Sequence, residues 1–99
     1  MLPKIKVFTI DDSPIYREVL GKIIESHPEL IHCGHAVNGR VAIEVLDELR
    51  PDVITLDVEM PEMDGMETLK HIMNNYPTPV IMLSSFTEHG ADITLSALE

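Results

Sequence analysis

Residues 53–65 read Val-Ile-Thr-Leu-Asp-Val-Glu-Met-Pro-Glu-Met-Asp-Gly. Four residues with no polar alternation run into a carboxylate at Asp57, and an acidic loop containing Pro61 and Gly65 follows. Such a run suits a strand covered on both faces, the situation of a parallel sheet, because an exposed face would show polar residues at every second position. Three more short apolar runs accompany it: Ile5–Ile10 (IKVFTI), Leu30–Val37 (LIHCGHAV) and Val80–Leu83 (VIML). Each is bounded by Pro, Gly, Asp or Asn, and all four read as strands.

Between the runs the apolar period lengthens to that of a helix. Ile15, Val19, Leu20, Ile23 and Ile24 form one stripe, Val41, Ala42, Val45, Leu46 and Leu49 a second, and Met66, Leu69, Ile72 and Met73 a third. Ser13-Pro14 offers a cap followed by a proline at the first helical position, and Asn38-Gly39 and Asp64-Gly65 precede the other two stripes. Pro28, Pro51, Pro77 and Pro79 fall in the connections that lead to strands, where no ladder needs their missing N–H. Strand starts at residues 5, 30, 53 and 80 leave room for one helix and two short loops each time. This rhythm predicts an α/β fold, a parallel sheet with helices on both faces. From Gly90 to Glu99, Ile93 and Ala97 stand one turn apart, with Leu95 and Leu98 on a nearby arc, and a fourth helix is expected to begin there.

Composition limits the functions open to the chain. At 99 residues, 44% hydrophobic and 24% charged, it is one small globular domain. No apolar run reaches the roughly 18 residues of a membrane span, so membrane insertion is not expected and the cytoplasm is the default location. Seven Lys and Arg against 17 Asp and Glu give a net charge of −10, which repels polyphosphate backbones; direct nucleic-acid binding is not expected. The lone Cys33 has no partner for an internal disulfide and reads as a small buried apolar residue. His32 and His35 sit three apart on a strand, on opposite faces by simple alternation, and so make a poor metal pair.

In an open parallel sheet, ligands bind beyond the carboxyl ends of the strands. The first run ends in Asp11-Asp12, the third in Asp57, and the fourth in Ser84-Ser85, so three carboxylates and a hydroxyl are delivered to one edge. Converging carboxylates repel, and a fold tolerates them when protons or a cation neutralise them. Oxygen-only ligation suits a hard cation such as Mg2+, which commonly works with phosphate oxygens. Asp57 is the candidate nucleophile on phosphorus, being embedded in a rigid strand, with Asp11 and Asp12 on the loop beside it.

Taken together, Asp11-Asp12-Ser13, VITLDVEMPEMDG and PVIMLSS resemble the receiver domain of two-component response regulators along the whole chain. The stretches NGRVAIEVLDELRPDVITLDVEMPEMDGMETL and PTPVIMLSSFTEHGADITLSALE are similar in particular to the receiver domains of chemotaxis protein-glutamate methylesterases, the CheB type. The resemblance implies a flavodoxin-like, three-layer fold with parallel strand order 2-1-3-4. It implies that Asp57 accepts a phosphoryl group from a sensor histidine kinase and that Ser84 is the switch hydroxyl. Asp12, Asp57 and the backbone carbonyl of Glu59 would hold Mg2+, with Asp11 acting through water. The partners implied are that kinase and an effector domain or protein, and the domain would be a signalling module, not an enzyme. Two rival readings keep the residues but not the role: an interaction module that is never phosphorylated, and a haloacid-dehalogenase-like phosphatase.

The family's fifth strand carries a lysine that pairs with the phosphoryl oxygens, and neither Lys4, Lys6, Lys22 nor Lys70 matches its position. Residues 1–99 are therefore expected to be a receiver domain cut before its fifth strand and final helix. That leaves the fourth strand as an open edge, through which self-association is expected.

Overall fold

Each helix begins where the chain supplies an acceptor for its free N–H groups. In the computed structural model, which describes residues 3–58, 65–84 and 92–96, Ser13 Oγ accepts from the N–H of Tyr16 at 3.3 Å and opens α1 (Pro14–Glu25). Asn38 Oδ1 accepts from Val41 N–H at 2.9 Å and opens α2 (Gly39–Leu49). The third helix, α3, spans Gly65–Asn75. The apolar runs form β1 (Ile5–Ile10), β2 (Leu30–Ala36), β3 (Val53–Asp57) and β4 (Val80–Ser84). These four strands are mutually parallel in the order 2-1-3-4, as the βα rhythm requires.

Phe8, Ile10, Ile54, Leu56, Val80 and Met82 project from one face of the sheet and are buried against Ala42 and Leu46 of α2 and Leu69 and Ile72 of α3. Helix α1 packs against β1 and β2 on the opposite face, where Gly21 lies against His32, which in turn reaches Thr9 of β1. Only Ile24 of the α1 stripe is fully buried, whereas Ile15 (74% exposed), Val19 and Ile23 face outward.

Two expectations are corrected here. Residues 92–96 do not continue a helix: they form β5 (Asp92–Ser96), antiparallel to β4, with Leu83 opposite Ile93 and Ser84 opposite Asp92. Over five residues, apolar positions at 93 and 95 fit a period of two as well as an arc of a helix, and the backbone groups along the edge of β4 decide between them. Residues 90, 91 and 97–99 lie outside the described residues. Because β5 pairs along β4, the open fourth-strand edge on which self-association was expected is closed, and the sheet has a fifth strand, antiparallel and not parallel.

The second correction concerns β2. Its register against β1 steps from Val7↔His32 to Phe8↔Gly34, so Cys33 is an extra residue in the ladder. The extra residue reverses the alternation, and His32 and His35 come to the same face with ring centroids 6.3 Å apart. Nε2 of His32 is 2.9 Å from Thr9 Oγ1, and Nδ1 is packed against Gly21, where an added Cβ would lie only 3.1 Å from it. Cys33 itself packs against the core, and burial raises its thiol pKa.

Helix α2 ends on Arg50 in the left-handed region, with φ 45° and ψ 63° and its N–H donating to Leu46 O at 2.9 Å. That conformation crowds a Cβ, and glycine is the usual residue there. The side chain offsets little of this, since its pairing with Asp47 is exposed. Arg50→Gly is expected to stabilise the fold by about 1 kcal/mol, which for a domain of this size raises the melting temperature by roughly 4–8 °C; differential scanning calorimetry measures it.

Candidate functional site

The chain leaves β1 for β2 on one side and later returns past β1 to form β3 on the other. The helix after β1 lies on one face of the sheet and the helix after β3 on the other, so the connections diverge and a crevice opens at the carboxyl ends of these neighbouring strands. Asp11 and Asp12 follow β1 directly, and Asp57 is the last residue of β3. One carboxylate oxygen from each of the three lies within 4.8 Å of the others. Asp11 and Asp57 are buried, at 4% and 3% exposure, and Asp12 is exposed. The three carboxylates singled out in the sequence are therefore one cluster.

Asp11 is held from several directions. Its N–H donates to Ala36 O at 3.0 Å, extending the β1–β2 ladder by one step. Its carboxylate accepts from Ser13 N–H at 2.8 Å, and its carbonyl accepts from Arg17 Nη1 at 2.8 Å. The Asp11 pKa is raised, chiefly because burial disfavours the charged form; the Ser13 N–H opposes the rise, the Asp12 carboxylate adds to it and the Arg17 guanidinium opposes it.

At the end of β3 the backbone is fixed on two sides. Val58 N–H donates to Leu83 O at 3.0 Å, and Val58 O accepts from the N–H of Gly65, the first residue of α3, at 2.9 Å. Gly65 is required for that approach: a Cβ there would lie 2.5 Å from Val58 Cα and 2.8 Å from Asp57 O. Leu83 pairs with Asp57 across the β3–β4 ladder, so the backbone of Ser84, one residue on, ends β4 beside the cluster. The Ser84 side chain and the Glu59 carbonyl lie outside what is described.

Sequence reasoning missed two contributors. Arg17 lies six positions after Asp11, a separation that carries no signal until α1 folds back over the strand end. Gly65 was read as helix punctuation, and its contact with the Asp57–Val58 backbone appears only in three dimensions.

The model of the response regulator receiver domain matches residues 7–98. The protein-glutamate methylesterase/protein-glutamine glutaminase of Pyrococcus horikoshii is 56% identical over 96 residues, covering 97% of this chain and 26% of that protein. That of Bacillus licheniformis is 52% identical over 95 residues, covering 96% of this chain and 27% of that protein. The chain thus spans about a quarter of the length of these relatives. The crystal structure of the response regulator domain of Thermotoga maritima CheB superposes with a TM-score of 0.80 at 51% identity, covering 89% of this chain and 66% of that one. Vibrio cholerae CheY4 gives 0.75 at 31% identity, covering 86% and 72%. With the flavodoxin-like sheet order and the acidic cluster at its switch point, these similarities show that the chain belongs to the response regulator receiver domains, of the CheB type.

Proposed function

We propose that Asp57 is a phosphoacceptor, taking a phosphoryl group from the phosphohistidine of a sensor histidine kinase. The observation that carries this reading is the convergence of the Asp11, Asp12 and Asp57 oxygens within 4.8 Å at the end of a rigid central strand. In the transfer, an Asp57 oxygen bonds to phosphorus while the phosphorus–nitrogen bond of the donor breaks, and its electron pair stays on the imidazole nitrogen. Asp57 presents its carboxylate from a strand end fixed by Val58 and Gly65, so the nucleophile needs little reorganisation.

The all-oxygen donor set, with no His or Cys in it, fits a hard divalent cation. Asp11, Asp12 and Asp57 would hold Mg2+, together with the Glu59 backbone carbonyl. When bound, the ion supplies positive charge that offsets the carboxylates and the phosphoryl oxygens. Ser84, whose backbone ends the adjacent strand, is the expected switch hydroxyl.

Residues 1–99 are the receiver portion of a longer protein in this reading, and the aspartyl phosphate regulates an effector; the names of the relatives point to an ester-hydrolysing one. The domain is a switch and not a catalyst of that hydrolysis. It belongs in the cytoplasm, where a nucleotide-dependent kinase can recharge the donor, and no described helix is long and apolar enough to cross a membrane.

Incubation with Mg2+ and a small phosphodonor is expected to add one phosphoryl group, stable in acid and labile in base, by intact mass measurement. Asp57→Asn abolishes the adduct. An adduct of equal yield in that variant overturns the assignment.

The cluster also has a stability cost in the absence of metal. A carboxyl whose folded pKa lies above its unfolded value binds more protons when folded, so between the two values stability falls as pH rises. Asp11 is such a group. Asp11→Asn keeps an oxygen acceptor for Ser13 N–H and removes the charge. In EDTA at pH 7 the variant is expected to melt above the parent, with the difference vanishing as pH falls below the unfolded value; thermal melts across pH measure it. With saturating Mg2+ at pH 7 the order reverses.

A further inference from the structure

We infer that Arg17 is a positioning residue for the acidic site: by holding the Asp11 carbonyl it sets the orientation of the Asp11–Asp12 peptide and so the reach of Asp12 toward Asp57. This rests on the proposed cation and phosphoacceptor role of the cluster and assigns a part in it to a residue outside the acidic set.

Arg17 sits one turn into α1, with its own N–H donating to Ser13 O at 3.0 Å. Its guanidinium reaches back over that turn, and Nη1 donates to Asp11 O at 2.8 Å in a partly buried setting. The Asp11 carbonyl and the Asp12 N–H belong to one planar unit, so a hydrogen bond to the carbonyl fixes the plane from which the Asp12 backbone departs. The contact of the Asp11 carboxylate with Ser13 N–H closes a turn that spans the same peptide, and the Arg17 contact holds that peptide from its carbonyl side; the Asp11 N–H is committed to Ala36 O. Asp12 is exposed. Neither ion pair found among the described residues, Lys22–Glu18 and Arg50–Asp47, uses Arg17. The donation from Nη1 to Asp11 O is its side-chain hydrogen bond among the described residues.

Two effects of removing Arg17 act in opposite directions on Mg2+ binding. Loss of a nearby cation favours a divalent ion, by an amount that water and salt screen. Loss of the carbonyl contact lets the Asp11–Asp12 peptide turn and disorders a ligand. A charge-assisted hydrogen bond in a partly buried place outweighs a screened repulsion, so binding weakens. Lys22 lines the same side of α1 and carries the same charge without touching Asp11, which makes it the control for the electrostatic part.

The test compares the parent chain with Arg17→Met, Arg17→Lys and Lys22→Ala by Mg2+ titration calorimetry, thermal melting and the rate of phosphorylation by a small phosphodonor at saturating Mg2+. Arg17→Met keeps the apolar stem of the side chain and is expected to raise the Mg2+ dissociation constant about tenfold. Arg17→Lys can still reach the carbonyl with a charged donor and recovers most of the affinity. Lys22→Ala leaves the affinity unchanged or slightly tighter. Equal or tighter binding by a folded Arg17→Met overturns the inference, as does weakening of equal size in Lys22→Ala. If Arg17→Met does not fold, Arg17→Lys decides: affinity within about threefold of the parent supports the inference, and a larger loss counts against it. Failure of the parent chain itself to bind Mg2+, or an adduct that survives Asp57→Asn, defeats the phosphoacceptor reading instead, whatever Arg17 does.

Discussion

Mutual repulsion among three carboxylates is the constraint around which the rest of the fold is arranged. For two buried groups such as Asp11 and Asp57, with oxygens inside 4.8 Å, the unscreened pair term is about 3 to 4 kcal/mol at an effective dielectric near 20. Against a typical net stability of roughly 5–15 kcal/mol for a whole domain, that is a large local cost. The chain bears it where the surroundings are least able to relax. Asp57 ends a strand flanked by β1 and β4, and Asp11 extends the ladder between β1 and β2. The core behind them, from Phe8, Ile10, Ile54 and Leu56 against α2 and α3, is closed to water. Burial there raises the Asp11 pKa, and the Ser13 N–H and the Arg17 guanidinium oppose the rise.

Much of this was legible in the sequence because charge interrupted an otherwise apolar pattern. Four short, largely apolar runs pointed to the parallel sheet, and the aspartates after the first and at the end of the third stood out against them. Delivery of the carboxylates to one edge was legible because parallel strands end on the same side, while the adjacency of β1 and β3 was implied by the family resemblance and not by the apolar pattern. What failed to be legible was of another kind. The strand at 92–96 depends on an unpaired edge supplied by β4, a partner no five-residue pattern can announce. The shared face of His32 and His35 depends on the extra residue at Cys33, for which the only local signal was a glycine, Gly34, inside a strand.

Helix α1 shows a similar limit. Its apolar stripe is real, and the sequence identifies it, but periodicity gives the direction of a face and not the extent of the surface available to cover it. Ile24 is buried and Leu20 half-buried on the helix that packs against β1 and β2, while Ile15, Val19 and Ile23 are exposed. The helix is nevertheless well tied at its start. Pro14, the Ser13 cap and the Arg17 contact with Asp11 O all act within the first turn and a half, next to the acidic turn. Local ties at the N-terminus compensate for the narrow footing of the rest.

Glycine at position 65 shows how tightly the two halves of the site are coupled. Its N–H meets Val58 O, and its Cα lies so close to the Asp57–Val58 backbone that any side chain would displace it. A substituent here acts on the carboxylate through the peptide and not through the solvent. The same closeness works in the other direction. Force on the end of β3, from charge gained or lost at Asp57, reaches the first turn of α3 without an intervening side chain, and interiors packed this closely pass small shifts on instead of absorbing them. On the other side of the crevice, Arg17 links the first turn of α1 to the Asp11 carbonyl. A change of charge between the two strand ends therefore bears on helices on both faces of the sheet, which is what a site on the switch point of a doubly covered sheet makes available and a site in a single loop does not.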